Sequence, residues 1–193
     1  PIYYLPHTLS PLLKVLDDRV ERVSCMGTRR RSYTYEDADL PWRDVEYALM
    51  HTAGATVMVV GAGFSMPYVL RGVNGAHWYE VRGTKGSVEA PRCKDDSFRA
   101  WRPGLDSYEA VEVDVVPRGA TEEQKKSGHG GRDFRPVVAL ADAILRDVPL
   151  ELDVYRAVET AAPAILAAES ARRGGEMIEV PDFRPDAATR EES

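Results

Sequence analysis

The run Thr56-Val57-Met58-Val59-Val60-Gly61-Ala62-Gly63-Phe64-Ser65-Met66-Pro67 decides the fold, because it admits two incompatible readings. A Gly-x-Gly after an apolar strand is how a dinucleotide-binding motif starts. That motif also needs a third small residue for close helix packing, and a helix whose N-terminus meets the pyrophosphate. Here Met66 holds the third position and Pro67 follows it. The next residues, Tyr68 to Val73, are strand-like and run into Asn74-Gly75, a hairpin signal. No acidic residue closes a following parallel strand. The run therefore predicts a buried strand, Thr56 to Val60, that bends or bulges within an antiparallel sheet.

The flanking sequence extends that sheet. Val45 to His51 reads as a strand leading into a Gly54-Ala55 turn, and His77 to Val81 returns from the Asn74-Gly75 hairpin. Gly83-Thr84-Lys85-Gly86 is a second turn before Ser87-Val88-Glu89, and further strands fall near Phe98 to Arg102 and Tyr108 to Val115. Links this short force antiparallel pairing, since a parallel crossover needs a dozen or more residues. Upstream, Leu9, Leu12, Leu13 and Leu16 have helical spacing, with Thr8 or Ser10 as caps, Pro11 in the first turn and Asp17-Asp18 as the stop. Val20 to Met26 is β-branched enough for a strand, and residues 28–43 read as a long polar loop. The last third changes period. Asp133 to Arg146 carries a broad apolar face of Phe134, Val137, Val138, Leu140, Ala141, Ile144 and Leu145. Asp153 to Arg173 is an alanine-rich helix that Gly174-Gly175 ends and Pro163 bends or truly begins. The expectation is an α+β domain over residues 1–185, one open and mostly antiparallel β-sheet with helices on one face, followed by a polar tail at 186–193.

Composition narrows the partners. The 193 residues are 44% hydrophobic and 29% charged, with 25 basic against 31 acidic side chains and a net charge of −6. That balance argues against nucleic acid, and Arg29-Arg30-Arg31 reads as a solvated loop. Cys25 and Cys93 lie far apart without metal-ligand spacing; Cys25 reads as a buried thiol, with a disulfide left open. No apolar run reaches the roughly 20 residues of a membrane span, and no signal peptide is visible, so a cytoplasmic location is expected. The start at Pro1, inside what reads as a motif, suggests a fragment or a processed product.

Two stretches could carry chemistry. In Tyr3-Tyr4-Leu5-Pro6-His7-Thr8-Leu9-Ser10-Pro11, a histidine at the mouth of a helix could be a general base or orient a hydroxyl, since imidazoles as a class ionise near working pH. It could equally cap the helix or satisfy a polar group. In Gly128-His129-Gly130-Gly131-Arg132-Asp133, three glycines let the backbone approach a ligand closely, and the following helix turns its free N–H groups toward that place. A plain flexible turn is the competing reading. His51 and His77 read as structural. No metal site is expected, because no sequential spacing brings His7, His129 and a carboxylate together.

These stretches resemble the C-terminal domain of the Gfo/Idh/MocA oxidoreductases (glucose–fructose oxidoreductase, inositol dehydrogenase and relatives). Pro6 to Pro11, Val81 to Glu89 and Gly128 to Asp133 carry the likeness in order. So do Asp153-Val154-Tyr155, Ala168-Glu169-Ser170 and Val180-Pro181-Asp182-Phe183. The Gly-His-Gly-Gly stretch is similar to the subset that includes NAD-dependent α-N-acetylgalactosaminidases. The resemblance implies a two-domain enzyme, in which a Rossmann domain binds NAD or NADP and an open-sheet domain closes over it and often dimerises through its sheet. His7 matches the histidine near the reacting carbinol, and His129 the glycine-flanked histidine. Tyr4, Arg132, Asp133 and Tyr155 would contact substrate. Many dehydrogenase members keep an aspartate four residues before the first histidine; Tyr3 stands there.

The family's nucleotide motif and its Glu-Lys-Pro stretch have no counterpart here. The nicotinamide would supply the redox chemistry. The expectation is thus a substrate-binding and oligomerisation domain acting on a sugar or polyol, inactive alone, partnered by its own Rossmann domain and by further copies through the sheet. Two alternatives keep the fold: an NAD-dependent glycosidase, and a stand-alone, non-catalytic binding or dimerisation module.

Overall fold

The computed structural model describes residues 2–28, 43–63, 77–93, 95–113, 120–131 and 133–185. The chain divides into two compact units, one formed from residues 1–66 and 152–193 and the other from 67–151. The expected strand Tyr68 to Val73, the Asn74-Gly75 hairpin and the Arg29-Arg30-Arg31 run lie outside the described residues.

In the first unit, strands β1 (Val20–Gly27), β2 (Glu46–Thr52), β3 (Val57–Ala62) and β8 (Ile178–Glu179) form an antiparallel sheet of order β3-β2-β1-β8. Its inner face carries Val23 and Cys25, Ala48 and Met50, Met58 and Val60, all buried. Two helices contribute to that core. Helix α1 (Pro6–Leu16) supplies Leu9 and Leu13; α4 (Val154–Arg172) supplies Ala164, Ala167, Ala168 and Ala171, whose small side chains let the helix lie close to β1. Each fully buried leucine or valine here stabilises the fold by about 1.5–3 kcal/mol.

Several local readings change. Helix α1 begins at Pro6, which sits in the first turn where its missing N–H costs nothing, and no side chain caps it; Thr8, Ser10 and Pro11 are inside the helix. Asp17 ends it in the left-handed conformation (φ 49°), its N–H bonded to the Leu13 carbonyl. Helix α4 runs through Pro163, which is buried, and starts where Asp153 accepts the Arg156 N–H at 2.7 Å. The run expected to be a buried strand is only half buried. Met58 and Val60 face the core, while Val57 and Val59 are 63% and 73% exposed. With Met26, Tyr47 and Leu49 they make the outer face of this sheet an open apolar surface.

Ser170 joins α4 to the sheet: its Oγ accepts the Cys25 N–H at 2.8 Å and donates to the Glu176 carbonyl at 2.5 Å. Burial first, and the Glu46 carboxylate second, push the Cys25 thiol up to about 11. The unfolded chain releases that proton first, near its ordinary value of 9.0, so this contribution to stability is complete below about pH 9 and is lost as pH rises through about 11. Cys93 is exposed and both cysteines are free. Thiol titration with an aromatic disulfide at pH 8 is expected to find one reactive cysteine in the native protein and two in denaturant. Two fast native thiols would contradict a buried β1.

The second unit contains β4 (Glu80–Gly83), β5 (Gly86–Glu89), β6 (Phe98–Trp101) and β7 (Glu109–Val111), again antiparallel and in that order. Thr84-Lys85 closes the β4–β5 hairpin as the sequence predicts. Short helices α2 (Gly128–Gly131) and α3 (Phe134–Arg146) follow. The apolar residues of α3 are helical as expected but not buried, Val137, Leu140, Ile144 and Leu145 being 51–81% exposed. Among the described residues the antiparallel strands thus form two sheets, where the pattern predicts one. Alternation identifies antiparallel neighbours and says nothing about which ladder continues into which.

Candidate functional site

Two histidine constellations are present, one in each unit. In the first, a 3₁₀ turn (Ile2–Tyr4) leads into α1. Ile2 and Leu5 are buried, and the Ile2 N–H donates to Glu46 Oε2 at 2.8 Å, so both ends of the turn are fixed to the core. Tyr3 and Tyr4 are left about half exposed. The Tyr4 ring stacks on the His7 imidazole with centroids 4.2 Å apart and planes inclined by 24°. A residue and the third one after it share a face where a 3₁₀ turn enters a helix, which is why Tyr4 and His7 meet. The stack holds the imidazole plane while leaving His7 accessible.

In the second unit, His129 Nδ1 lies 2.7 Å from Asp133 Oδ1, with both side chains exposed. A carboxylate only accepts, so Nδ1 carries the hydrogen, and in the neutral imidazole it is then Nε2 that holds the lone pair. The glycines have a definite task here. A Cβ on Gly128 would stand 2.2 Å from Asp133 Oδ2, so glycine is what lets the carboxylate reach the ring. His129 itself adopts φ 55°, a left-handed conformation. The stretch whose competing reading is a plain flexible turn forms one turn of helix, and the Asp133 side chain pairs with His129 and makes no capping bond to α3. Arg132 lies outside the described residues.

Tyr155 sits in the first turn of α4, its ring 6.0 Å from the Arg184 guanidinium. Arg184 grips the buried Glu159 carboxylate through two bonds, at 2.5 and 3.0 Å, and Arg156 adds a third contact at 3.5 Å. This network fastens the segment after β8 to α4. The 3₁₀ turn instead meets the other end of that helix, where Arg172 Nη1 donates to the Tyr3 hydroxyl at 3.1 Å. Seventeen residues of helix, about 25 Å, separate Tyr155 from Arg172, so the structure does not bring Tyr155 to the Tyr4–His7 pair. His51, 3.4 Å from Arg22 Nη2, belongs to the sheet surface. Sequence reading gave no role to Glu159, Arg184 or Arg172. Arg184 lies 25 residues from Glu159, beyond any local pattern, whereas Arg156 is a local partner three residues before it on the helix.

An open antiparallel sheet with helices on one face only, entered through a histidine-bearing helix, is the C-terminal fold of the Gfo/Idh/MocA oxidoreductases. An oxidoreductase from Agrobacterium radiobacter, solved with NAD+, L-tartaric acid and magnesium, superposes with a TM-score of 0.65 at 15% identity, over 90% of this chain and 47% of that one. Residues 32–188 match the model of the glycosyl hydrolase 109 C-terminal domain, and the chain belongs to that family. A glycosyl hydrolase family 109 protein of Saccharopolyspora erythraea is 24% identical over 93% of this chain and 42% of its own length. An α-N-acetylgalactosaminidase of Tannerella forsythia is 37% identical over a shorter stretch, 31% of this chain and 13% of its own length. The chain thus spans less than half the length of these relatives.

The nicotinamide dinucleotide that this fold family implies does not fit the one glycine-rich stretch that could be mistaken for its cradle. Gly61 pairs with Tyr47 across β2 and β3, and a Cβ there would come within 2.5 Å of the Tyr47 ring. The glycine makes room for that ring, so the Gly61-Ala62-Gly63 stretch is part of a strand and its exit. No helix among the described residues is long and apolar enough to cross a membrane.

Proposed function

We propose that this chain is the substrate-binding and self-association domain of an NAD(P)-dependent enzyme acting on a sugar or polyol, and that it is inactive without its nucleotide-binding domain. The stacked Tyr4–His7 pair at the entrance to α1 carries this reading. An imidazole held in one plane and left accessible can accept a proton from a substrate hydroxyl or fix that hydroxyl by a hydrogen bond. In the other unit, His129, hydrogen-bonded to Asp133, is a separate candidate for contacting substrate hydroxyls, and so is Arg132, three residues on in the sequence. A polyol needs several such bonds to be held in one orientation. The hydride chemistry would come from a nicotinamide bound elsewhere in the full-length protein. The open face of Met26, Tyr47, Leu49, Val57 and Val59 supports pairing with a second copy, because exposed apolar patches on a sheet mark association surfaces.

Membership of the glycosyl hydrolase 109 family favours a second reading of the same site, glycoside cleavage without net oxidation. The full-length protein, given NAD with a panel of polyols and with an aryl α-N-acetylgalactosaminide, separates the two. Reduced nicotinamide accumulating with a polyol supports oxidation. Aryl alcohol released without it supports cleavage. Neither signal, from a folded protein saturated with NAD, would leave only a binding module.

A further inference from the structure

The C-terminal turn of α4 holds three charged side chains in a fixed arrangement. Arg172 donates to Glu169 Oε2 through Nε at 2.9 Å and Nη2 at 2.5 Å, while Arg173 Nε takes Oε1 of the same carboxylate at 2.7 Å. Glu169 is thereby held below the usual carboxylate range by Arg173 and Arg172. An isolated surface arginine samples many rotamers, and ordering it costs side-chain entropy. Here the carboxylate has already ordered Arg172, and its remaining donor, Nη1, points at the Tyr3 hydroxyl at 3.1 Å. Tyr3 is the immediate neighbour of Tyr4, whose ring stacks on His7. Ile2 and Leu5 fix the ends of the 3₁₀ turn in the core, while Tyr3 and Tyr4 between them stay about half exposed.

We infer that the Glu169–Arg172–Tyr3 chain is a positioning device, reaching from the end of α4 to the 3₁₀ turn and setting the angle at which Tyr4 stacks on His7. The inference deepens the reading of His7 as a substrate-facing group and rests on it for its functional consequence. Its geometric content is testable without turnover. Arg172 and Tyr3 touch neither imidazole nor substrate on this account; they act through Tyr4.

The readout is the ring-current shift that the Tyr4 face imposes on the His7 ring protons, measured by NMR on the 193-residue chain. A Tyr4→Leu variant supplies the unstacked reference. Tyr3→Phe, which removes only the hydroxyl, and Arg172→Ala, which removes the guanidinium and with it the Glu169 pair, are each expected to lose at least half of that shift. The double variant should lose no more than either single one, because both cut the same link. Arg172→Lys, a flexible point charge without the planar fork, should restore the shift only partly. Thermal melting separates this from a purely structural role, since the single variants are expected to melt within about 2–4 °C of wild type, the size of a surface effect. An unchanged His7 shift in both single variants would overturn the inference. So would additive losses in the double variant. In the full-length enzyme the same substitutions should lower kcat with KM held within about twofold, as expected for a group that positions without binding. If wild type turns over and the variants match it, the positioning role fails; if wild type itself does not turn over, the functional reading fails while the NMR result still stands.

Discussion

Replacing His7 with alanine in the full-length enzyme is expected to lower kcat/KM by about 10²–10⁴-fold, the range of a positioned general acid or base. The effect should fall mainly on kcat, because a proton is transferred in the transition state while the hydroxyl is only hydrogen-bonded in the ground state. His7→Asn, which keeps a donor and loses the base, should recover binding but not rate. The protein should fold normally, because His7 is exposed at the first turn of α1 and the core beneath is built from Leu5, Leu9 and Leu13. Steady-state kinetics on the two variants at matched melting temperature check this. A loss below tenfold would remove His7 from the proton transfer and leave His129, oriented by Asp133, as the base to test next.

The second large effect concerns association. Leu49 and Val59 face each other across β2 and β3 on the outer side of the sheet, with Tyr47, Val57 and Met26 around them. In a two-fold interface each substitution appears twice, so Leu49→Arg with Val59→Arg places four unpaired charges at the centre of the contact. The dimer dissociation constant is expected to rise at least about 100-fold, roughly 2.8 kcal/mol or more of association free energy. Sedimentation of wild type and variant over a concentration series measures it, and circular dichroism should be unchanged because both side chains point away from the core. A wild-type chain that is monomeric at high concentration would contradict association through this face.

Much of the architecture was legible because its signals are local. The Leu9–Leu13–Leu16 spacing, the Asp17 stop and the Gly83-to-Gly86 turn each depend on residues within a few positions of one another. The rejection of Gly61-Ala62-Gly63 as a nucleotide loop rested on Met66 and Pro67, and the structure adds the positive reason, the Tyr47 ring lying over Gly61. What alternation could not give is which side of a β-branched run faces outward. Val57 to Val60 is apolar at every position, so it reads as buried on both faces, yet only Met58 and Val60 are inside. The same failure explains α3: its stripe specifies a helix but not what covers it. At the site, the Tyr4–His7 stack follows from three-residue spacing and could be read directly. The Arg172–Tyr3 bond spans 169 residues, and no local pattern announces it.

The central claim is that these residues hold the substrate half of an enzyme whose nucleotide site lies elsewhere. Calorimetric titration of NAD and its reduced form, into the 193-residue chain and into the full-length protein that contains it, tests that most directly. Binding by the full-length protein with none by the shorter chain is the predicted result. Micromolar binding by the 193-residue chain itself would contradict the account, and would mean that a nucleotide cradle exists within these residues after all.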